Sequence, residues 1–108
     1  MKIKTTRKQI EGVALVLNYL VINNKPTNIP ERLVYGLVYK LFLKIRNKVD
    51  ALSSPREGWG INMTDDEAMA LFIFLQNIPH PTKEYKYEMI QMDAISDQIH
   101  HEFNHIIN

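Results

Sequence analysis

The sequence predicts an all-α fold, a compact bundle of four helices with a Gly-Trp-Gly loop between the second and third. Three observations predict it. Apolar residues recur at helical rather than alternating spacing over four segments. Two of those segments open with capping-box spacing, Thr6-x-x-Gln9 and Thr64-x-x-Glu67. Only four glycines and five prolines interrupt 108 residues, which leaves long unbroken stretches between them. The length suits one helical domain, 1–108, with a modest core.

The first helix is expected from Thr6 to about Asn23. Ile10, Val13, Ala14, Leu17, Leu20 and Val21 share one face, while Val16, Tyr19 and Ile22 carry apolar character to other sides. Gly12 within it costs helix propensity and marks a candidate close helix crossing. The second helix is expected to start at Thr27-Asn28-Ile29-Pro30, with proline suited to the first turn, and to reach about Leu52. Val34, Leu37, Val38, Leu41, Phe42, Ile45, Val49 and Leu52 form its apolar arc. Tyr35 and Tyr39 lie at the far edge of that arc beside Arg46, and Lys40, Lys44 and Lys48 make a ridge away from its centre.

Ser53-Ser54-Pro55 ends the second helix. In the loop that follows, Trp59 between Gly58 and Gly60 is a bulky anchor on a permissive backbone. Trp59, Ile61 and Met63 alternate with Gly60 and Asn62, which allows a short extended segment but predicts no sheet. The third helix runs from the Thr64 cap to about Asn77, with Asp65, Asp66 and Glu67 placed where the helix dipole favours acids. Ile78-Pro79-His80-Pro81-Thr82 is a stiff connector to a fourth helix over Lys83 to about Ile106, with Tyr85, Met92, Ile95, Ile99, Phe103 and Ile106 as its stripe. The first or the third helix is expected near the centre, because two of the four are apolar on nearly all sides. A domain this small cannot shield all of that surface itself, so part of it is expected to meet a partner.

Charge is sorted along the chain. Residues 1–56 carry eleven Lys/Arg against three acids, a net of +8, and residues 57–108 carry two against nine, a net of −7. Oppositely charged halves attract within a monomer or head to tail between copies, and the basic half suits an anionic partner. The absence of cysteine removes disulfides, thiolate metal sites and cysteine nucleophiles. The apolar run Val13 to Ile22 is too short for a bilayer and lacks a cleavage pattern, so neither a signal peptide nor a membrane span is predicted. A cytoplasmic location, in a cell or an infected host, is the expectation.

His101-Glu102-Phe103-Asn104-His105 matches H-E-x-x-H, in which two histidines ligate zinc and the glutamate activates water. A catalytic zinc needs a third protein ligand, and none is expected in the three residues that follow His105. At 100° per residue both histidines point away from the stripe centred on Ile99, so a solvated face is expected, with no metal and no catalytic residue. The Lys40, Lys44 and Lys48 ridge, with Lys2, Lys4, Arg7 and Lys8, is the candidate anion-binding surface. Reversal of the three ridge lysines is expected to weaken partner binding and leave the monomer folded. Tyr35, Tyr39 and Trp59 are candidate interface anchors, as Tyr and Trp are enriched at binding hot spots.

The function expected is therefore that of a non-enzymatic helical protein that binds other protein chains, its own copies or a larger assembly. Partner-binding residues are Tyr35, Tyr39, Lys40, Lys44, Lys48 and Trp59. No cofactor and no small-molecule substrate are expected. An Ile-, Asn- and Lys-rich, Ala-poor composition, typical of A/T-rich coding sequence, suggests a phage or mobile-element accessory protein or virion assembly component. The alternative is a nucleic-acid-associated regulator that uses the basic half, and a third reading is a metal-binding protein at the C-terminal histidines.

Overall fold

The computed structural model describes residues 1–51, 58–81 and 84–103. In chain order these form β1 (Lys2–Ile3), α1 (Arg7–Asn23), α2 (Ile29–Val49), β2 (Ile61–Asn62), α3 (Asp65–Asn77) and α4 (Lys86–Glu102). The four helices pack as an all-α bundle. Gly58, Trp59 and Gly60 lie between α2 and α3, directly ahead of β2.

Side chains define the first three helix starts. Thr6 Oγ1 accepts from Gln9 N at 3.2 Å while Gln9 Oε1 accepts from Thr6 N at 2.9 Å, the reciprocal pair of a capping box. Asn28 Oδ1 accepts from Glu31 N at 2.9 Å to start α2, with Pro30 in its first turn. Glu31 reaches back to the Thr27 N–H and hydroxyl, and these bonds hold its carboxyl below the usual range. Thr64 and Glu67 form the second capping box at α3.

Each helix packs on two others, α1 on α2 and α4, and α3 likewise on α2 and α4. The helices thus occupy the corners of a square, and neither α1 nor α3 is central as expected. Cross-contacts show that neighbours run antiparallel. On α2, Tyr35 meets Val21 and Phe74, while Lys44 meets Glu67. On α4, Tyr85 at the helix start meets Tyr19 near the end of α1, and the contacts with the α3 side run from His80 at Asp93 back to Phe72 at His100. The core is lined by Ile10, Leu17, Leu20, Leu41, Met92 and Ile99, all fully buried. Each such side chain contributes about 1.5–3 kcal/mol on leaving water. Gly12 faces α4, where an added Cβ would stand 3.3 Å from Glu88 Cγ, as a close crossing requires.

The structure corrects three further expectations. A sheet is present, though small: β1 pairs antiparallel with β2, Lys2 opposite Asn62 and Ile3 opposite Ile61. The Met1 ammonium donates to Met63 O, and Met63 N donates to Met1 O, both at 2.9 Å. Gly60 suits this close approach, because a Cβ would lie 3.1 Å from the Ile3 carbonyl oxygen, tighter than ordinary contact. Second, α2 ends at Val49, where the Asp50 N–H closes on Arg46 O; Leu52 lies outside the described residues. Third, α4 begins at Lys86, because Tyr85 adopts a left-handed φ of 60° that breaks any helix running into it. Thr82 and Lys83 lie outside the described residues, as do residues 104–108 at the far end. Among the described residues, no helix is long and apolar enough to cross a membrane.

Candidate partner-binding surface

Spacing along α2 brings Tyr35, Tyr39, Phe42 and Arg46 into one row. Tyr35 and Tyr39 stack with centroids 6.2 Å apart, and Tyr39 meets Phe42 at 6.1 Å. A cation closes each end: Lys25 Nζ lies 5.8 Å from the Tyr35 ring centre, and the Arg46 guanidinium 5.7 Å from that of Phe42. The two tyrosines differ in what they have left to offer. Tyr35 donates its hydroxyl to Val21 O at 2.8 Å and sets its ring against Phe74, so it staples α2 to α1 and α3. Tyr39 is 41% exposed and presents its ring outward. A cleft of about 500 Å³ adjoins the row beneath Lys25 and Tyr35, with Val34, Ile73 and Phe74 as its apolar lining and Asn24, Glu31 and Asn77 at its polar edge.

The lysine ridge is not one surface. Lys40 is exposed, and among the described residues it has no ion-pair partner. Lys44 Nζ donates to Glu67 Oε1 at 2.8 Å, and Lys48 Nζ donates to Gly60 O at 2.6 Å. The two lysines flank a cavity of about 120 Å³ between α1, α2 and β2. They bind the chain to itself, and the cause is geometric: the ridge drifts around α2 until its last two members overhang α3 and the loop before it. Trp59 is likewise engaged, half-buried with the Arg7 guanidinium 5.2 Å from its ring centre and its carbonyl accepting from the Thr5 hydroxyl. Arg7 also pairs with Glu11 at 3.0 Å.

Glu67 is the residue whose role the sequence understated. Its side chain is 2% exposed. Oε1 accepts from Lys44 Nζ and from Thr64 N, while Oε2 is buried with no hydrogen-bond partner. Burial pushes its carboxyl up, but the Lys44 ammonium and the Thr64 donors outweigh burial, and the net direction is down. A carboxyl held low in the folded chain stabilises it above the ordinary value of 4.5, and that contribution disappears as pH falls through the lower folded value. Urea midpoints at neutral and acid pH should therefore converge between the native chain and Glu67→Gln below that value, whereas the native chain leads above it.

At the C-terminal histidines, His101 and Asp97 are exposed and His105 lies outside the described residues. Among the described residues, no group of three or more His, Cys, Asp or Glu side chains is placed to hold a metal ion. No family model, curated protein or solved structure matches the chain.

Proposed function

We propose that the chain is a non-enzymatic helical module that binds other protein chains. The observation that carries this reading is the apolar surface the bundle leaves uncovered: Leu15 and Ile22 on α1, Ile29 and Leu33 on α2, Tyr87 and Ile90 on α4. Tyr39, at the exposed middle of its aromatic row, adds a side chain of the kind that anchors interfaces. The internal ties of Lys44 and Lys48 support this reading over the nucleic-acid one, since they leave Lys40 as the one ridge cation with no protein partner among the described residues. The version in which the partner belongs to a phage or mobile-element assembly rests on residue bias alone.

A photo-crosslinking phenylalanine analogue at Tyr39 or Leu33, in cells that make the full chain, tests the proposal. Discrete adducts that survive nuclease and are removed by protease are expected. Adducts that vanish with nuclease would transfer the reading to nucleic acid, and no adduct from either position would refute protein binding at this surface.

A further inference from the structure

The four most exposed large apolar side chains among the described residues are Tyr87 at 80%, Ile29 at 74%, Leu33 at 69% and Ile90 at 57%. They fall in two pairs, one on α2 and one on α4. These two helices stand at opposite corners of the square, since each packs on α1 and α3. Each runs antiparallel to α1, so they run in the same direction as one another. The chain's two most exposed apolar pairs thus lie on opposite sides.

The faces also match in detail. Outward on α2, Ile29, Leu33, Gly36 and Lys40 fall within an arc of about 60°. Outward on α4, Tyr87, Ile90, Ala94 and Asp97 fall within about 80°. In both, a large apolar pair near the helix start gives way to a small residue and then a charge, and the charges are opposite. Leu33 to Lys40 and Ile90 to Asp97 each span seven residues, so parallel alignment sets apolar on apolar, Gly36 beside Ala94 and Lys40 beside Asp97. Antiparallel alignment instead sets Leu33 against Asp97. Arg32 is a second exposed cation on the α2 side and Asp93 a second exposed acid beside the α4 face, with Lys86 an opposing charge at the start of α4. Among the described residues, neither Lys40 nor Asp97 has an ion-pair partner.

Gly36 supplies an independent hint. A glycine within an exposed helix face costs about 1 kcal/mol relative to alanine. Within the chain nothing requires it, because an added Cβ would meet nothing within 4 Å. A second helix laid across this face would come closer for the missing side chain, since helix spacing depends on side-chain size at the contact.

We infer that the partner at this surface is a second copy of the chain, the α2 face of one copy seated on the α4 face of the next. This deepens, and rests on, the protein-binding reading above. The contact is head to tail, joining unlike faces. Each added copy leaves one α2 face and one α4 face open, so the assembly extends as a filament or closes as a ring.

Sedimentation of the purified full chain over a range of concentrations is expected to show mass rising beyond a dimer, less so at high salt. Leu33→Glu and Ile90→Glu each spoil one face, and each variant alone should associate at least about tenfold more weakly. Mixed in equal amounts, the two should form a discrete dimer that grows no further, because one intact α2 face then meets one intact α4 face. Circular dichroism checks that both variants stay folded, as their exposed positions lead us to expect; should either unfold, Lys40→Glu with Asp97→Lys serves instead, each alone weakening association and the pair restoring it. A native chain that stays monomeric throughout would overturn the inference and leave crosslinks to another protein at Leu33 intact. Self-association of Ile90→Glu alone as strong as that of the native chain, and not increased by adding Leu33→Glu, would overturn it in favour of α2 pairing on α2.

Discussion

Lys44→Glu is expected to destabilise the fold by about 3 kcal/mol or more, while Lys40→Glu, one turn earlier on the same helix, should change stability by no more than about 0.5 kcal/mol. The difference lies in what each ammonium faces. Glu67 is buried, and its charge there is tolerable because Lys44 and the Thr64 N–H satisfy Oε1. Removing Lys44 leaves a carboxylate out of water with one donor, and reversing it adds a second negative charge at hydrogen-bond distance. The loss stays nearer 3 kcal/mol than the upper end for an enclosed pair, because Lys44 keeps 44% of its side chain exposed and water screens that end. Lys44→Met should cost less than the reversal, and the double variant Lys44→Met with Glu67→Gln should recover part of the loss, since glutamine retains the capping bond and carries no charge. Urea unfolding of the four chains measures each step. Equal effects at positions 40 and 44 would mean that the Lys44–Glu67 pair contributes nothing to the fold. The same contacts alter the expectation for the triple reversal of Lys40, Lys44 and Lys48, which should now lose stability as well as any partner.

What the sequence revealed and what it hid follow from the range of the forces involved. The starts of α1, α2 and α3 were legible because capping is local: Thr6, Asn28 and Thr64 bond to groups three residues away. The buried faces were legible because periodicity averages over many residues. Burial of Glu67 was not, because an acid in a first turn reads as a response to the helix dipole, and its partner Lys44 is 23 residues distant. The wheel placed all three lysines off the apolar arc, but angle alone does not show where a neighbouring helix begins. The outer faces carry a signal of their own. Ile29 and Leu33 stand opposite the apolar arc of α2, as Tyr87 and Ile90 stand opposite that of α4, and apolar pairs on the wrong side of a helix are informative. Two-residue strands carry no such signal, since a pairing this short has no period.

Ile3→Ala is expected to cost about 2–4 kcal/mol, a loss suited to a core position rather than to a tail residue. Ile3 is 2% exposed, and its strand partner Ile61 is equally buried, so truncation opens a cavity between the chain's start and the loop before α3. The damage should spread beyond that cavity, because one small structure joins several contacts. Met1 and Met63 exchange two backbone hydrogen bonds, Thr5 holds Trp59 O, and Lys48 reaches Gly60 O from α2. Weakening β1 releases the loop that orients the Thr64 cap and, through it, Glu67. Trp59, the single tryptophan, sits in this region under Arg7 and reports it directly. If the strand pair opens as a local unit, Trp59 fluorescence should shift to the red in urea before the helical signal falls. If it is continuous with the core, both signals should move together at a lower midpoint. The continuous core from Ile3 and Ile61 to Ile10 and Ile45 favours the second outcome, with one cooperative transition at reduced stability. An unchanged midpoint in Ile3→Ala would show that β1 adds nothing to the fold, and that the bundle holds Glu67 in place without it.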